Sequence, residues 1–368
     1  MPTMSAARLH SSSEPFTVDR IEIPEPTGSD VLVRVRACGI VPNLKNVLAA
    51  ADFLPDLAFP EYPAIYGLDP AGEIAAVGPE VLELSPGQRV YVNPGRSCGS
   101  CRRCRDSRPL ECASYGLGGY HGFTPAAQRL FQRYPWGGFA EYMIAPASSL
   151  VVLPDSVSFD EAARFGYLGT AYSALTRAGA GSTTSVLVNG ATGTLGVGAI
   201  LLCLAMGVPR ILAVARNQKI LDELHKLAPN RIVTHSNNVG PCTEWAREQT
   251  YDEGPDIVID ALGPGSPAEV SIDALRSLAR GGRLAMIGGG HDPLPIDPPW
   301  FMLNQISYIG SLWFTTAQGG EMARMAAAGT LDLSPFTHLH FSLDQLDKAI
   351  EAACTREHGG LINVVITP

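Results

Sequence analysis

The sequence has no excess of basic side chains. Its 27 Lys and Arg stand against 36 Asp and Glu, a formal charge of −9. A chain whose main partner is nucleic acid needs a basic face for phosphate, so that class is set aside. No apolar run reaches the length needed to span a bilayer. Met1–His10 lacks the apolar centre of a secretory leader. There is no internal repeat, low-complexity segment or long linker. These absences point to a cytoplasmic globular protein, and 46% apolar with 17% charged residues fits one. The 368 residues are enough for two domains with separate cores.

The two parts differ in rhythm. From about residue 7 to 150 the chain is rich in strand patterns. Val31–Ala37 alternates, with Arg34 and Arg36 to one side and the valines to the other. Ala71–Val77, Arg89–Val92 and Phe139–Ile144 are further predicted strands, divided by turns such as Pro86-Gly87. A small, partly open barrel is expected. Helical spacing over Ser158–Ala180 leads into a second part that alternates strand and helix. Its predicted strands are Val186–Asn189, Ile211–Ala215, Arg231–Thr234, Asp256–Asp260, Leu284–Ile287 and Ile306–Leu312. Lys219–Leu227, Glu244–Gln249 and Ala268–Leu278 are the helices between them. That alternation predicts a doubly wound parallel sheet. Glu321–Ala328 and Leu343–Cys354 read as closing helices. A last strand, Ile362–Ile366, is expected to return to the first domain.

The stretch Val186–Gly196 organises the second part. A short apolar strand runs into Gly190-x-x-Gly193-x-x-Gly196, one residue longer than the plain G-x-G-x-x-G, and then into a small apolar helix that Gly207 closes. Glycines let the backbone approach a pyrophosphate, and the N-terminus of the following helix presents its free N–H groups to that anion. Beyond the next strand a carboxylate would take the ribose 2′-hydroxyl of NAD. The chain has none there: it reads Ala213-Val214-Ala215-Arg216-Asn217. Arg216, with Lys219 nearby, suits the 2′-phosphate of NADPH instead. The plainer reading of Arg216 is a solvated residue after a strand.

Four of the eight cysteines lie within fifteen residues, as Cys98-x-x-Cys101-x-x-Cys104-x7-Cys112. The spacing suits a closed tetrahedral Zn²⁺ site, structural because no position stays open for substrate. Arg102, Arg103, Arg105 and Arg108 are placed to offset the charge of four thiolates. Free thiols or disulfides are the competing reading. Cys38, Cys203, Cys242 and Cys354 read as core or surface thiols.

These motifs, with Gly67-Leu68-Asp69-Pro70-Ala71-Gly72, Gly87-Gln88-Arg89-Val90, Gly137-Gly138-Phe139-Ala140-Glu141-Tyr142 and Thr170-Ala171-Tyr172-Ser173-Ala174-Leu175, make the chain resemble the medium-chain dehydrogenase/reductase superfamily. That superfamily comprises the zinc alcohol dehydrogenases and quinone oxidoreductases. The resemblance implies a GroES-like catalytic domain at 1–160 and 310–368 and a Rossmann domain at 161–309. It also implies cofactor contacts from Thr170, Gly190, Thr192, Gly193, Thr194 and Leu195, and a nicotinamide pocket walled by Leu262, Ile287, Gly288, Leu312 and Trp313. Dimers or tetramers are implied, with Tyr308–Trp313 as an edge strand.

Where the family carries catalytic zinc ligands, this chain departs. The resemblance puts the three ligand positions at Val41, Leu68 and Gly166, with Phe165 next to the last. Asn43 and Asn46 replace the relay hydroxyl and histidine. Val, Leu and Gly do not ligate zinc. The expectation is an enzyme that transfers hydride from NADPH to an activated C=C or C=N bond (enone, quinone or iminium) with no catalytic metal. One hydrogen-bond donor is worth about 2.7–4 kcal/mol, a modest replacement for a divalent ion on an ordinary carbonyl. An alcohol dehydrogenase or carbonyl reductase working through such donors is the alternative, and a non-catalytic cofactor-binding relative is a third. Asn43, Asn46, Asp69 and Tyr167 are the polar candidates for the chemistry, each with a structural role as the competing reading. Val41, Leu68 and Phe165 suggest a bulky apolar small-molecule substrate. Tyr120 and His121, in a glycine-rich loop, read as exposed residues or as the rim of the pocket.

Overall fold

The computed structural model describes residues 2–50, 54, 56–290, 293–355 and 359–368. Asp30–Gly39 is the spine of the first sheet, its apolar side chains buried and Arg34 turned to solvent. The strand order is Thr337–Phe341, Ile362–Ile366, Asp30–Gly39, Asp69–Val77, Arg89–Val92 and Leu150–Val152, and Tyr142–Pro146 also pairs with Asp30–Gly39. Register shifts at Leu32/Val33 and Val35/Ala37 mark bulges of the kind that bend a sheet toward closure. The last strand pairs Val365 with Gly39 and Ile366 with Cys38, so the end of the chain does return to the first sheet.

The second sheet has the order Ile232–Ser236, Arg210–Ala215, Ser185–Asn189, Ile257–Asp260, Arg283–Met286 and Ser307–Gly310. All five of its strand pairs are parallel. In chain order this is 3-2-1-4-5-6, the doubly wound arrangement. Its crevice opens beyond the carboxyl ends of Ser185–Asn189 and Ile257–Asp260, where the strand order reverses. The helix Phe165–Ala178 packs on Thr194–Ala205 and on Arg283–Met286. No described helix is long and apolar enough to cross a membrane.

Three sequence expectations shift. The helical stretch Ser158–Ala180 is two helices, Phe159–Ala162 and Phe165–Ala178. Between them ψ rises to 4° at Ala163 and −4° at Arg164, and Arg164 turns inward to only 2% exposure. Phe139 and Ala140 leave the expected strand because their backbone bonds to an N-terminal hairpin, Thr3–Arg8 with Thr17–Glu22, which the sequence pattern did not reveal. The strand over Ile306–Leu312 narrows to Ser307–Gly310, because Trp313 and Phe314 are held by the first sheet. Asn93 Oδ1 accepts the Trp313 indole N–H at 3.0 Å, and Asn93 Nδ2 donates to Phe314 O at 3.3 Å.

Candidate active site and metal site

The loop between the short strands Gly95–Arg96 and Gly116–Leu117 carries the four clustered cysteines. Their sulfurs lie within 4.8 Å of one another, with Cys101–Cys104 at 3.6 Å and Cys98–Cys104 at 4.0 Å. Tetrahedral Zn–S bonds of about 2.3 Å require sulfurs about 3.8 Å apart. None of the eight cysteines is in a disulfide. Backbone N–H groups of Ser100 and Cys101 hold the Cys98 thiol below its ordinary pKa. The four residues fit a structural zinc. Among the described residues this is the one group of three or more metal-ligating side chains brought together. The nearby arginines are not all free to offset thiolate charge. Arg103 and Arg108 both pair with Glu111, at 3.4 and 2.5 Å.

Of the positions where the resemblance puts catalytic ligands, Leu68 precedes Asp69 in the chain and Gly166 faces the Asp69 side chain. Val41 and Leu68 are buried in the main core. Asp69, the first residue of its strand, is 1% exposed. Its Oδ1 accepts the Tyr91 hydroxyl at 2.7 Å. A Cβ built on Gly166 would stand 2.1 Å from that Oδ1 and 2.6 Å from Oδ2. The Asp69 carboxylate therefore occupies the space a side chain at 166 needs. Burial raises the Asp69 pKa to about 7, against the lowering effects of the Tyr91 bond, the nearby Arg164 charge and the Gly166 N–H. Cys38 lies alongside in the core, its thiol pushed up by burial and by Asp69.

Arg164 is the cation of this cluster. Its Nη2 donates to Gly360 O at 2.8 Å and Ile362 O at 3.5 Å, and its guanidinium lies 5.3 Å from the Tyr167 ring centroid. Burial lowers its pKa to about 10. Tyr167 is half-buried, and burial holds its hydroxyl protonated well above the usual range. Asn43 and Asn46 are both exposed. Asn43 Oδ1 accepts the Tyr120 hydroxyl at 2.6 Å. Tyr120 is 5% exposed and His121 half-buried, which corrects the exposed-loop reading. His121 packs between Tyr120, tilted with centroids at 4.8 Å, and Phe123, edge-on at 4.9 Å, and this folds that loop inward.

The glycine turn sits at the crevice. Gly190 has φ +82°, and a Cβ on Gly196 would meet Gly190 O at 2.2 Å. A larger residue at 196 would push the helix Thr194–Ala205 off the turn, which is the close approach a pyrophosphate site requires. Thr192, Thr194 and Leu195 are half-buried around it and Gly193 is exposed. Gly360 N donates to Thr192 O at 2.8 Å, so the segment held by Arg164 also rests on the turn. Thr170 is buried and its hydroxyl is bonded to Gly166 O at 2.8 Å, within its own helix. Leu262, Ile287 and Gly288 are half-buried at the strand ends. Leu312 is 43% exposed, whereas Trp313 is 7% exposed and committed to Asn93. Arg216 and Lys219 are exposed beyond Arg210–Ala215, and the Asn217 side chain caps the helix Gln218–Leu227.

Sequence reasoning missed Tyr91, Arg164, Asn93 and Asp260. Each is a polar residue inside or next to an apolar stretch, and that was the available signal.

The family of alcohol dehydrogenase GroES-like domains matches residues 27–155, and that of zinc-binding dehydrogenases matches residues 194–328. Sorbitol dehydrogenase of Bacillus subtilis (strain 168) is 28% identical over 355 residues, covering 95% of this chain and 93% of that protein. The crystal structure of AibC superposes with a TM-score of 0.85 at 26% identity, covering 100% of this chain and 96% of the other. A zinc-binding dehydrogenase from Sinorhizobium meliloti 1021, solved with NADP bound, covers both chains fully with a TM-score of 0.83. At 23% identity it shares the fold.

Proposed function

The chain belongs to the medium-chain dehydrogenase/reductase superfamily and is an oxidoreductase, and from that premise we propose an NADPH-dependent reductase of an activated C=C or C=N bond that works without a catalytic metal. The substrate class is an enone, quinone or iminium of apolar character. One observation carries the reading: position 166 has no side chain, and the Asp69 carboxylate, held by Tyr91, fills its space. Val41 and Leu68 are buried, and among the described residues Asp69 and the neighbouring Cys38 are joined by no third ligating side chain, which is too few for a Zn²⁺ site.

NADPH, when bound, supplies the hydride. Gly190, Gly193 and Gly196 with Thr192, Thr194 and Leu195 would hold its pyrophosphate, and Arg216 with Lys219 its 2′-phosphate. Leu262, Ile287, Gly288, Leu312 and Thr170 belong to the nicotinamide side. Trp313 supports that side from behind. The Tyr120 hydroxyl occupies Asn43 Oδ1, which leaves the Asn43 amide N–H groups to donate to a substrate oxygen. Tyr167, kept protonated by burial, can give a proton to the reduced product. Asp69, sealed from solvent, acts through its neighbours, with Asn46 at the outer edge. Reduction of an ordinary carbonyl is the second reading, favoured by relatives named as alcohol and sorbitol dehydrogenases. A cytoplasmic location and a dimer or tetramer belong to the same proposal; for the assembly, the edge strand Ser307–Gly310 leaves Tyr308 37% exposed, and the helix before it exposes Met302 at 72% and Leu303 at 65%.

The test pairs metal analysis with turnover. One zinc per chain is expected, with NADPH oxidation by enones that persists in chelator and exceeds that by simple aldehydes. Two zinc ions per chain, with activity lost on chelation and restored by Zn²⁺, would overturn the reading.

A further inference from the structure

Asp260 ends the strand Ile257–Asp260 at the crevice and is fully buried. Three turns meet on this one residue. Its main-chain oxygen accepts the N–H groups of Ile287 and Gly288, both at 3.0 Å. Its Oδ1 accepts Leu262 N at 3.3 Å and Asn189 Nδ2 at 3.4 Å. Ala261 N in turn donates to Asn189 O at 2.9 Å. There is no slack between these turns. A Cβ on Gly288 would lie 2.0 Å from Leu262 O, and one on Gly190 would lie 3.1 Å from Ala261 O.

Two acceptors in this knot are orphaned: Asn189 Oδ1 and Asp260 Oδ2 are buried and have no hydrogen-bond donor within 3.5 Å. Asn189 and Asp260 face each other in register on neighbouring parallel strands. Turning the Asn189 amide over does not help, because its oxygen would then face Asp260 Oδ1 and Val270 O, two acceptors that its nitrogen now serves at 3.4 and 3.3 Å. A contact of 3.4 Å is also long for a bond to a charged carboxylate, which runs about 2.7–2.9 Å.

We propose that Asp260 is the positioning residue of the cofactor cradle, and that it works as a neutral carboxylic acid donating its Oδ2–H to Asn189 Oδ1. Side-chain amide and acid then form a cyclic pair of hydrogen bonds, and both orphaned oxygens are satisfied by one proton. Burial favours the protonated form, against hydrogen bonds from the Ser271 hydroxyl, the Leu262 N–H and the Asn189 amide, which favour the charged one. The groups that bear on the charge are Ser271 from the helix Ala268–Arg276, the Leu262 N–H, Asn189 and, from the outer strand, Tyr308. None is a cation. Ionisation would set two acceptor oxygens against each other beneath the turns that the nicotinamide half of the cofactor rests on. The inference depends on the cofactor reading above.

The test measures NADPH dissociation constants by fluorescence titration from about pH 5 to about pH 9 for the wild type, Asp260→Asn and Asp260→Ala. An infrared difference spectrum of the cofactor-free wild type minus Asp260→Asn is recorded alongside. Asparagine places an N–H where the proton sits and keeps the accepting carbonyl. Asp260→Asn should bind within about threefold of wild type at neutral pH and show little pH dependence. Wild-type affinity should fall about tenfold as pH rises, and Asp260→Ala should be about tenfold weaker throughout, the scale of one unsatisfied buried polar group. The infrared difference should contain the carbonyl stretch of a protonated carboxyl. Asp260→Asn binding as weakly as Asp260→Ala, or a carboxylate signature in place of the protonated band, would overturn the proposal. Wild type that binds no nicotinamide cofactor would instead sink the cofactor reading, and the infrared band would still decide the proton.

Discussion

Replacing Gly166 by Ala tests how the place of the expected metal ligand has been filled. Gly166 lies in the first turn of Phe165–Ala178, where helix propensity alone favours Ala by about 1 kcal/mol. Packing opposes this. The new methyl would stand 2.1 Å from Asp69 Oδ1 and 2.7 Å from its Cγ, so the carboxylate must withdraw by about an ångström, given an ordinary C···O contact near 3.3 Å. It has nowhere to go. Asp69 is 1% exposed, Tyr91 holds it from one side, and Gly39 lies against its Cβ. Losing the Tyr91 bond to a charged group costs about 1.5–3 kcal/mol and overpacking about 1–3 kcal/mol. The net expectation is destabilisation by about 3 kcal/mol, with the sign opposite to propensity. Urea unfolding followed by tryptophan fluorescence measures it. A double-mutant cycle with Asp69→Ala isolates the clash, and removing the carboxylate should recover at least about 2 kcal/mol of the Gly166→Ala penalty. A Gly166→Ala protein as stable as wild type, or penalties that add within about 0.5 kcal/mol, would refute the geometry.

Stability should depend on pH through Asp69. Its pKa is raised from 3.8 to about 7, so the folded state binds more protons than the unfolded one between those values. Stability should be greatest near pH 4 and decline toward pH 7, by an amount on the order of 4 kcal/mol; Asp69→Asn should lack this slope, and parallel urea midpoints across pH for the two proteins would refute it. Arg216→Ala should weaken NADPH binding about tenfold or more, from one lost charge-assisted bond, with NADH binding unchanged in the same titration. Asn93→Ala should cost about 1–3 kcal/mol, because the buried Trp313 N–H loses its acceptor, and indole fluorescence should show the altered contact.

Local pattern carried much of this protein. The alternation at Val31–Ala37, the strand–helix rhythm after Val186 and the glycine turn each repeat over residues close in sequence, so they were readable as a two-sheet architecture. The cysteine spacing likewise folds within one loop, and its four sulfurs do converge. That Val41, Leu68 and Gly166 stand where the resemblance puts ligands was readable from the motifs. What took their place was not. Asp69 meets Tyr91, Gly166 and Arg164 across three separate stretches of chain. Arg164 reaches residues 360 and 362 at its far end, and Asn93 crosses about 220 positions to hold Trp313. Such contacts leave no periodic trace, because a buried polar group is fixed by whichever distant donors and acceptors the folded backbone brings to it. Residue type and spacing determined the four-cysteine loop and the glycine turn. Only the tertiary packing decided that the Asp69 carboxylate, held by Tyr91, would fill the space at Gly166.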